Sequence, residues 1–380
     1  MEIKTINGHF FTEFEQRLSL ALHHEFKPDF AFVFCSVSQN LNQISKLFHD
    51  NGIEFLGATT AGEIYETEVA EKSIVAMLMK LPSGAYSRIF NDRTDSKKTL
   101  REVGYDIGQK ALSNYKNPSV IVLSGGMRAN GEELVTGLLD SNVSGNSIFG
   151  ALAGDDLKMQ ETYVFSDEGI TNNGVAALIL DGNKIFASGV ATSGWESIGT
   201  EKIITKSKGN VVYGIDNSPA IDVFLKYFDK SKDRLVENDL VVNELAQYPL
   251  HVMRENNYRV LRAPLLADQE RGALVFSGTV EQGARIKFSI PPGFETIEST
   301  TQEIIKMKDE LPEVDALIMF SCKARHQALG PLVEEEVESI KNTWDAPLIG
   351  FFSYGEIGST NSHSCDFHNE TISLVALKEL

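Results

Sequence analysis

Phe30-Ala31-Phe32-Val33-Phe34-Cys35-Ser36 is an apolar run that ends in small polar residues. A helical stretch from about Leu41 to Asn51 follows, and then Phe55-Leu56-Gly57-Ala58-Thr59-Thr60-Ala61-Gly62-Glu63-Ile64. A short apolar run of this kind reads as a buried strand, and two such runs joined by a helix make a βαβ crossover between parallel strands. A short strand, Ser73 to Met79, closes the segment.

The pattern occurs twice more. Val120-Ile121-Val122-Leu123-Ser124-Gly125-Gly126 leads through a helix bearing Glu132, Leu134, Leu138 and Leu139 to Ile148-Phe149-Gly150-Ala151-Leu152-Ala153-Gly154-Asp155, with Val175 to Leu180 trailing. Ala316-Leu317-Ile318-Met319-Phe320-Ser321-Cys322 leads through a helix from about Pro331 to Asn342 to Leu348-Ile349-Gly350-Phe351-Phe352-Ser353-Tyr354-Gly355-Glu356, with Thr371 to Leu377 trailing. A repeated supersecondary element implies a core assembled from copies of it. The carboxyl ends of parallel strands gather at one sheet edge, where open α/β sheets bind ligands. The predicted class is α/β, with repeated βαβ units forming two α/β portions.

Between the second and third copies the texture changes. Asp216 to Ser218 reads as a turn and Pro219 as the opening of a helix to about Asp229. Val260 to Pro264, Gly272 to Ser277 and Arg285 to Ser289, punctuated by glycine and proline, predict an antiparallel meander in the C-terminal half. The polar stretch Lys202 to Asn210 places the expected boundary: an N-terminal lead-in at 1–29, one domain at 30–210 and a second at 211–380.

Composition narrows the function. The 380-residue chain carries a formal charge of −18, which repels phosphate backbones and argues against nucleic acid as a partner. Its longest apolar runs fall short of the roughly 18 residues a membrane span needs. Met1 to His9 lacks a basic, then apolar, leader, and Cys35, Cys322 and Cys365 are odd in number and far apart. Both features predict a cytoplasmic protein with reduced thiols.

Gly57 to Glu63, Gly194-Trp195-Glu196-Ser197-Ile198-Gly199, Asn217-Ser218-Pro219-Ala220, Phe320-Ser321-Cys322, Arg325, Gly350 to Glu356 and Phe367 to Thr371, in that order, carry a resemblance. The chain resembles the FIST family from about residue 30 to its end, its amino half being similar to the FIST N-terminal domain and its carboxyl half to the FIST C-terminal domain. The resemblance implies a sensory module that binds a small ligand, with amino-acid-like metabolites proposed for the family. It implies signalling to an output protein such as a histidine kinase or cyclase, here a separate one, because both halves are assigned to sensing. One stand-alone branch binds haem and senses nitric oxide, so haem b is a candidate cofactor.

The first candidate site is Phe320-Ser321-Cys322-Lys323-Ala324-Arg325-His326, just after a strand. Arg325 offers a planar fork of donors for a carboxylate or a haem propionate, and Cys322 near positive charge is expected to have a lowered pKa. The alternative is that Arg325 pairs with the acidic helix Glu334 to Glu338, itself read as a solvated face without chemistry. Tyr354, Gly355 and Glu356 adjoin the site in sequence pattern, and Gly62-Glu63 holds the matching place in the first copy. These carboxylates either cap the following turn or bind a ligand ammonium. Ser124 with Gly125 and Gly126 is a weaker candidate for an anion, lacking the P-loop lysine. His326 and His251 are the candidate axial ligands if haem binds. His363, Cys365 and His368 lie close in sequence but are too few for a structural zinc site. Cys322 as nucleophile with His326 as base lacks an orienting third group, and no hydrolase, zincin or kinase signature is present, so sensing rather than catalysis is expected.

Overall fold

The computed structural model describes residues 1–23, 25–127, 129–230, 245–254, 258–290, 292–360 and 363–380, the side chains of 363 and 364 excepted. The first strand of each repeat, Phe30–Ser36, Pro118–Ser124 and Ala316–Cys322, is buried on both faces because it separates two apolar layers, which explains the unbroken apolar runs. In Phe30–Ser36, Phe30, Phe32 and Phe34 enter a central core, while Ala31, Val33 and Cys35 face helices α1 (Phe11–Ala21) and α2 (Leu41–Asp50). In Pro118–Ser124, Ile121 and Leu123 face the centre, and Val120 and Val122 face α3 (Leu100–Asn114) and α4 (Gly131–Asp140). In Ala316–Cys322, Ala316, Ile318 and Phe320 join the same central core. The three sheets thus share one interior, where the Phe34 ring lies 4.7 Å from Phe351 and 6.1 Å from Phe320.

The three sheets have the same plan. The first runs Glu2–Gly8, Ile74–Lys80, Phe30–Ser36, Glu54–Thr60, then the hairpin Val164–Ser166 and Gly169–Thr171. The second runs Tyr86–Asp92, Gly174–Asp181, Pro118–Ser124, Ile148–Leu152, then Glu356–Thr360 and His363–His368. The third runs Ile185–Thr192, Ile372–Glu379, Ala316–Cys322, Leu348–Ser353, then Glu63–Tyr65 and Glu68–Ala70. Within each, the two crossover-linked strands are parallel and the others antiparallel. Each hairpin comes from a different repeat. Repeat two lends its hairpin to sheet one, repeat three to sheet two, and repeat one to sheet three. The exchange closes a ring of three α/β units.

Residues 1–29 supply the edge strand and α1 of the first unit. The third unit is interrupted. After its edge strand Ile185–Thr192 comes an eight-stranded sheet whose pairings are all antiparallel, the predicted meander enlarged by Ser197–Lys208, Val211–Ile215 and Leu250–Met253. The expected boundary at 210 and 211 falls in the turn between Ser197–Lys208 and Val211–Ile215. Asp216 and Asn217 turn with positive φ, and Pro219 caps α5 (Ala220–Tyr227), which packs Phe224 against Phe288. The third unit then resumes with α6 (Phe294–Glu310).

Two differences from the sequence reading lie in this unit. Lys323 to Leu329 forms an additional helix, α7, because seven residues without glycine or proline precede Gly330, whose positive φ ends it before α8 (Leu332–Lys341) begins. The Glu334 to Glu338 run is not wholly solvated either: Glu336 is fully buried on the inner face of α8.

Candidate functional site

The ends of the second strands meet where the three units join. Ala61 N donates to Phe352 O and Phe352 N to Gly62 O; Leu152 N donates to Gly355 O; Gly154 N donates to Thr59 O and Asp156 N to Thr60 O. Close backbone approach explains the glycines, since a Cβ on Gly154 would lie 2.7 Å from Ala61 N.

Each glycine-bearing turn holds a buried carboxylate. Glu63 accepts from Thr60 Oγ1 and from Ser73 N and Oγ at 2.8 and 2.7 Å. Glu356 accepts from Ser353 Oγ and, at 2.8 Å, from Thr371 Oγ1. The two environments are equivalent, as the repeat requires. Burial pushes Glu63 up to about 7 and Glu356 up to about 8, with the hydroxyl donors working against it. Asp155 of the middle unit instead accepts from Met159, Gln160 and Glu161 N and from the Tyr354 hydroxyl, which itself accepts from Leu157 N at 2.9 Å. Tyr354 therefore ties the third unit to the second.

Among the candidates, Ser321, Cys322, Arg325, His326 and Glu356 gather on the third unit and Gly62 lies against Phe352 there, whereas the Glu63 carboxylate is held within the first unit by Thr60 and Ser73. Ser124 belongs to the second unit and His251 to the inserted sheet. The Ser124 loop does not offer free donors: Gly125 N is taken by Gly174 O and Gly126 N by Thr162 Oγ1.

Arg325 is fully buried and spends its fork on the protein. Nε and Nη2 donate to the Glu336 carboxylate, Nη2 also to Thr300 Oγ1 at 3.0 Å, and Nη1 to the Ser193 and Glu370 carbonyls. Its guanidinium lies 5.0 Å from the Trp195 ring. The pairing with the acidic helix is the arrangement present. Cys322 departs from expectation: burial, with Glu356 and Glu370 adding repulsion, pushes its thiol well up rather than down, opposing a thiolate nucleophile. His326 is half-buried against Phe352, with Nδ1 3.1 Å from Lys323 Nζ. Burial and Lys323 hold it down at about 4.

His251 is buried, bonded to the Glu196 backbone, and its Nε2 has no partner. Burial, then Arg259, lowers it to about 4, so the ring is neutral at pH 7. That donor set fits a haem iron in chemistry, with one free nitrogen on an imidazole oriented by a backbone carbonyl. Near the C-terminus, Cys365 and His368 are buried, His368 Nε2 lying 3.0 Å from Gly358 O, and no cluster of metal-ligating side chains occurs among the described residues.

Sequence reasoning passed over Glu370. It sits in the turn before Ile372–Glu379, fully buried, with neither carboxylate oxygen partnered. Burial and the nearby Glu356 push it up to about 8. The available signal was position: a carboxylate stands where the first copy has Lys72.

The three units form a ring of βαβ units with polar groups at the strand ends and an antiparallel sheet inserted in one of them. Residues 29–218 match the FIST N domain and residues 220–359 the FIST C domain, and the chain belongs to the FIST family, whose domains are associated with sensing in signal transduction. Uncharacterized proteins from two strains of Mycobacterium tuberculosis are 23% identical over 242 residues, covering 62% of this chain; the chain in turn spans 62% of their length. No helix among the described residues is long and apolar enough to cross a membrane.

Proposed function

We propose that the protein is a sensor that binds a small ligand at the strand ends of the third unit and signals to a separate output protein such as a histidine kinase. One observation carries this reading. Among the described residues the third unit alone places an extra helix, α7, after its first strand, and Arg325 of that helix grips Ser193 in the segment leading into the inserted sheet. A ligand that shifts α7 alters that grip and so favours one arrangement of ring and inserted sheet over another. The reading is tested by hydrogen exchange with a panel of amino acids and amines. Binding protects or releases α7 and residues 193–197 together, whereas exchange unchanged by every compound at both segments overturns it.

A second reading rests on the free Nε2 of His251. Haem held there would supply an iron that binds nitric oxide, while the Glu196 carbonyl orients the imidazole. Protein expressed with haem would show a Soret band that His251→Ala abolishes and His326→Ala leaves in place. Colourless protein that does not take up haem overturns it.

A further inference from the structure

The third unit holds a charge imbalance. Arg325, Glu336, Glu356 and Glu370 are all fully buried. Arg325 and Glu336 neutralise one another, and Glu356 rests on two hydroxyl donors. Glu370 has nothing: Oε1 and Oε2 lack partners, and so does the buried Oγ of Ser321. They lie on neighbouring segments: Glu370 is two residues before Ile372, the register partner of Ser321, and Cys322 N donates to Thr371 O. Burying a carboxyl without hydrogen bonds is unfavourable, and more so when it is charged, so buried polar groups are ordinarily partnered.

The repeat shows that this is a departure rather than a shared feature. Glu370 and Lys72 hold the same place, each with left-handed φ and each one residue before the hydroxyl that bonds its unit's glutamate. Lys72 is exposed, whereas Glu370 is buried with Arg325 of α7 donating to its carbonyl.

We infer that Glu370 and Ser321 form a subsite for the ammonium head of a primary amine, reached when α7 lifts. An ammonium carries three N–H donors, and three unpartnered acceptor atoms are present: Glu370 Oε1, Glu370 Oε2 and Ser321 Oγ. Arg325, the group suited to a carboxylate, is already taken by Glu336, so the subsite reads a cation and not an anion. The high pKa of Glu370 agrees: the empty site keeps its proton, and an entering ammonium replaces that proton as the neutralising charge. The inference rests on the third unit being the ligand site.

The probes are methylammonium and 1,4-diaminobutane chlorides, against sodium chloride and sodium acetate at equal ionic strength, read by thermal unfolding and by hydrogen exchange at α7. The amines are expected to stabilise the protein saturably. Glu370→Gln, which keeps the shape of a protonated carboxyl, should weaken them at least about tenfold, the loss of one charge-assisted contact. Ser321→Ala should weaken them less. An equal response in Glu370→Gln and Ser321→Ala, or an equal response to sodium, overturns the inference. Acetate that binds saturably and protects α7 overturns the ammonium subsite but leaves the ligand site standing. No protection of α7 by any compound, including the wider panel, overturns both.

Discussion

Arg325 shows how a residue suited to ligand recognition can be committed to structure. Its guanidinium joins α6, α7, α8, the 193–195 segment and the Glu370 turn. Arg325→Ala leaves Glu336 buried and unpaired, and should cost about 3–5 kcal/mol in urea unfolding. Replacing both partners, as Arg325→Met with Glu336→Leu, should recover most of that loss, because well-packed apolar groups substitute for a buried pair at little net cost. The buried carboxyls and histidines set opposite pH trends. Glu356 and Glu370 lie above their unfolded values, so the folded protein holds extra protons and stability falls as pH rises from about 4.5 through about 8. His251 and His326 lie below theirs, so stability falls as pH drops from about 6.5 through about 4. Denaturation at several pH values should therefore give a maximum on the acid side of neutrality, and Glu370→Gln should flatten the alkaline limb.

The long strands could be read in the sequence because each separates two apolar layers. Phe30–Ser36, Pro118–Ser124 and Ala316–Cys322 announce themselves as unbroken runs bounded by polar residues. The lent hairpins could not. Glu63–Tyr65 and Val164–Ser166 are three residues long, too short to show a period, and their partners lie in another repeat. The site was half legible for a similar reason. Glu63 and Glu356 stand out by repetition, whereas the meaning of Glu370 depends on α7 burying it. The turns that join the units are the least forgiving elements. Gly154→Ala forces a Cβ to within 2.7 Å of Ala61 N and 2.8 Å of Thr60 C. It should lower stability by about 1–3 kcal/mol while leaving helical content unchanged by circular dichroism.

The molecule is one ring carrying one insertion. The insertion leaves and returns at neighbouring points: Gly194 packs against Thr296, and Ile290 N donates to Glu196 O. Elsewhere it is latched by Arg262, fully buried, which with Arg254 holds Glu132 of α4. Desolvation raises the Glu132 carboxyl, but the Arg262 charge, hydrogen bonds from Thr279 N and Arg262, and the Arg254 charge outweigh it and hold the group below its usual range. Joining residue 194 to residue 292 through a short glycine-serine linker should leave a folded ring with a single cooperative transition; a molten product would show that the ring needs the insertion. Phe34→Ala, at the meeting point of the sheets, should cost about 3–5 kcal/mol and lower protection in all three units together.

The cyclic loan of hairpins also orders events during synthesis. The segment Glu63–Tyr65 is made about 280 residues before the strand it completes, Leu348–Ser353. The first sheet can be completed as soon as the Val164–Ser166 and Gly169–Thr171 hairpin appears. The first hairpin must wait, its outer edge unpaired, until residues 348–353 have been made. Ribosome-bound chains halted before residue 348 should therefore leave this hairpin open to protease, and chains released after residue 353 should lose the cut.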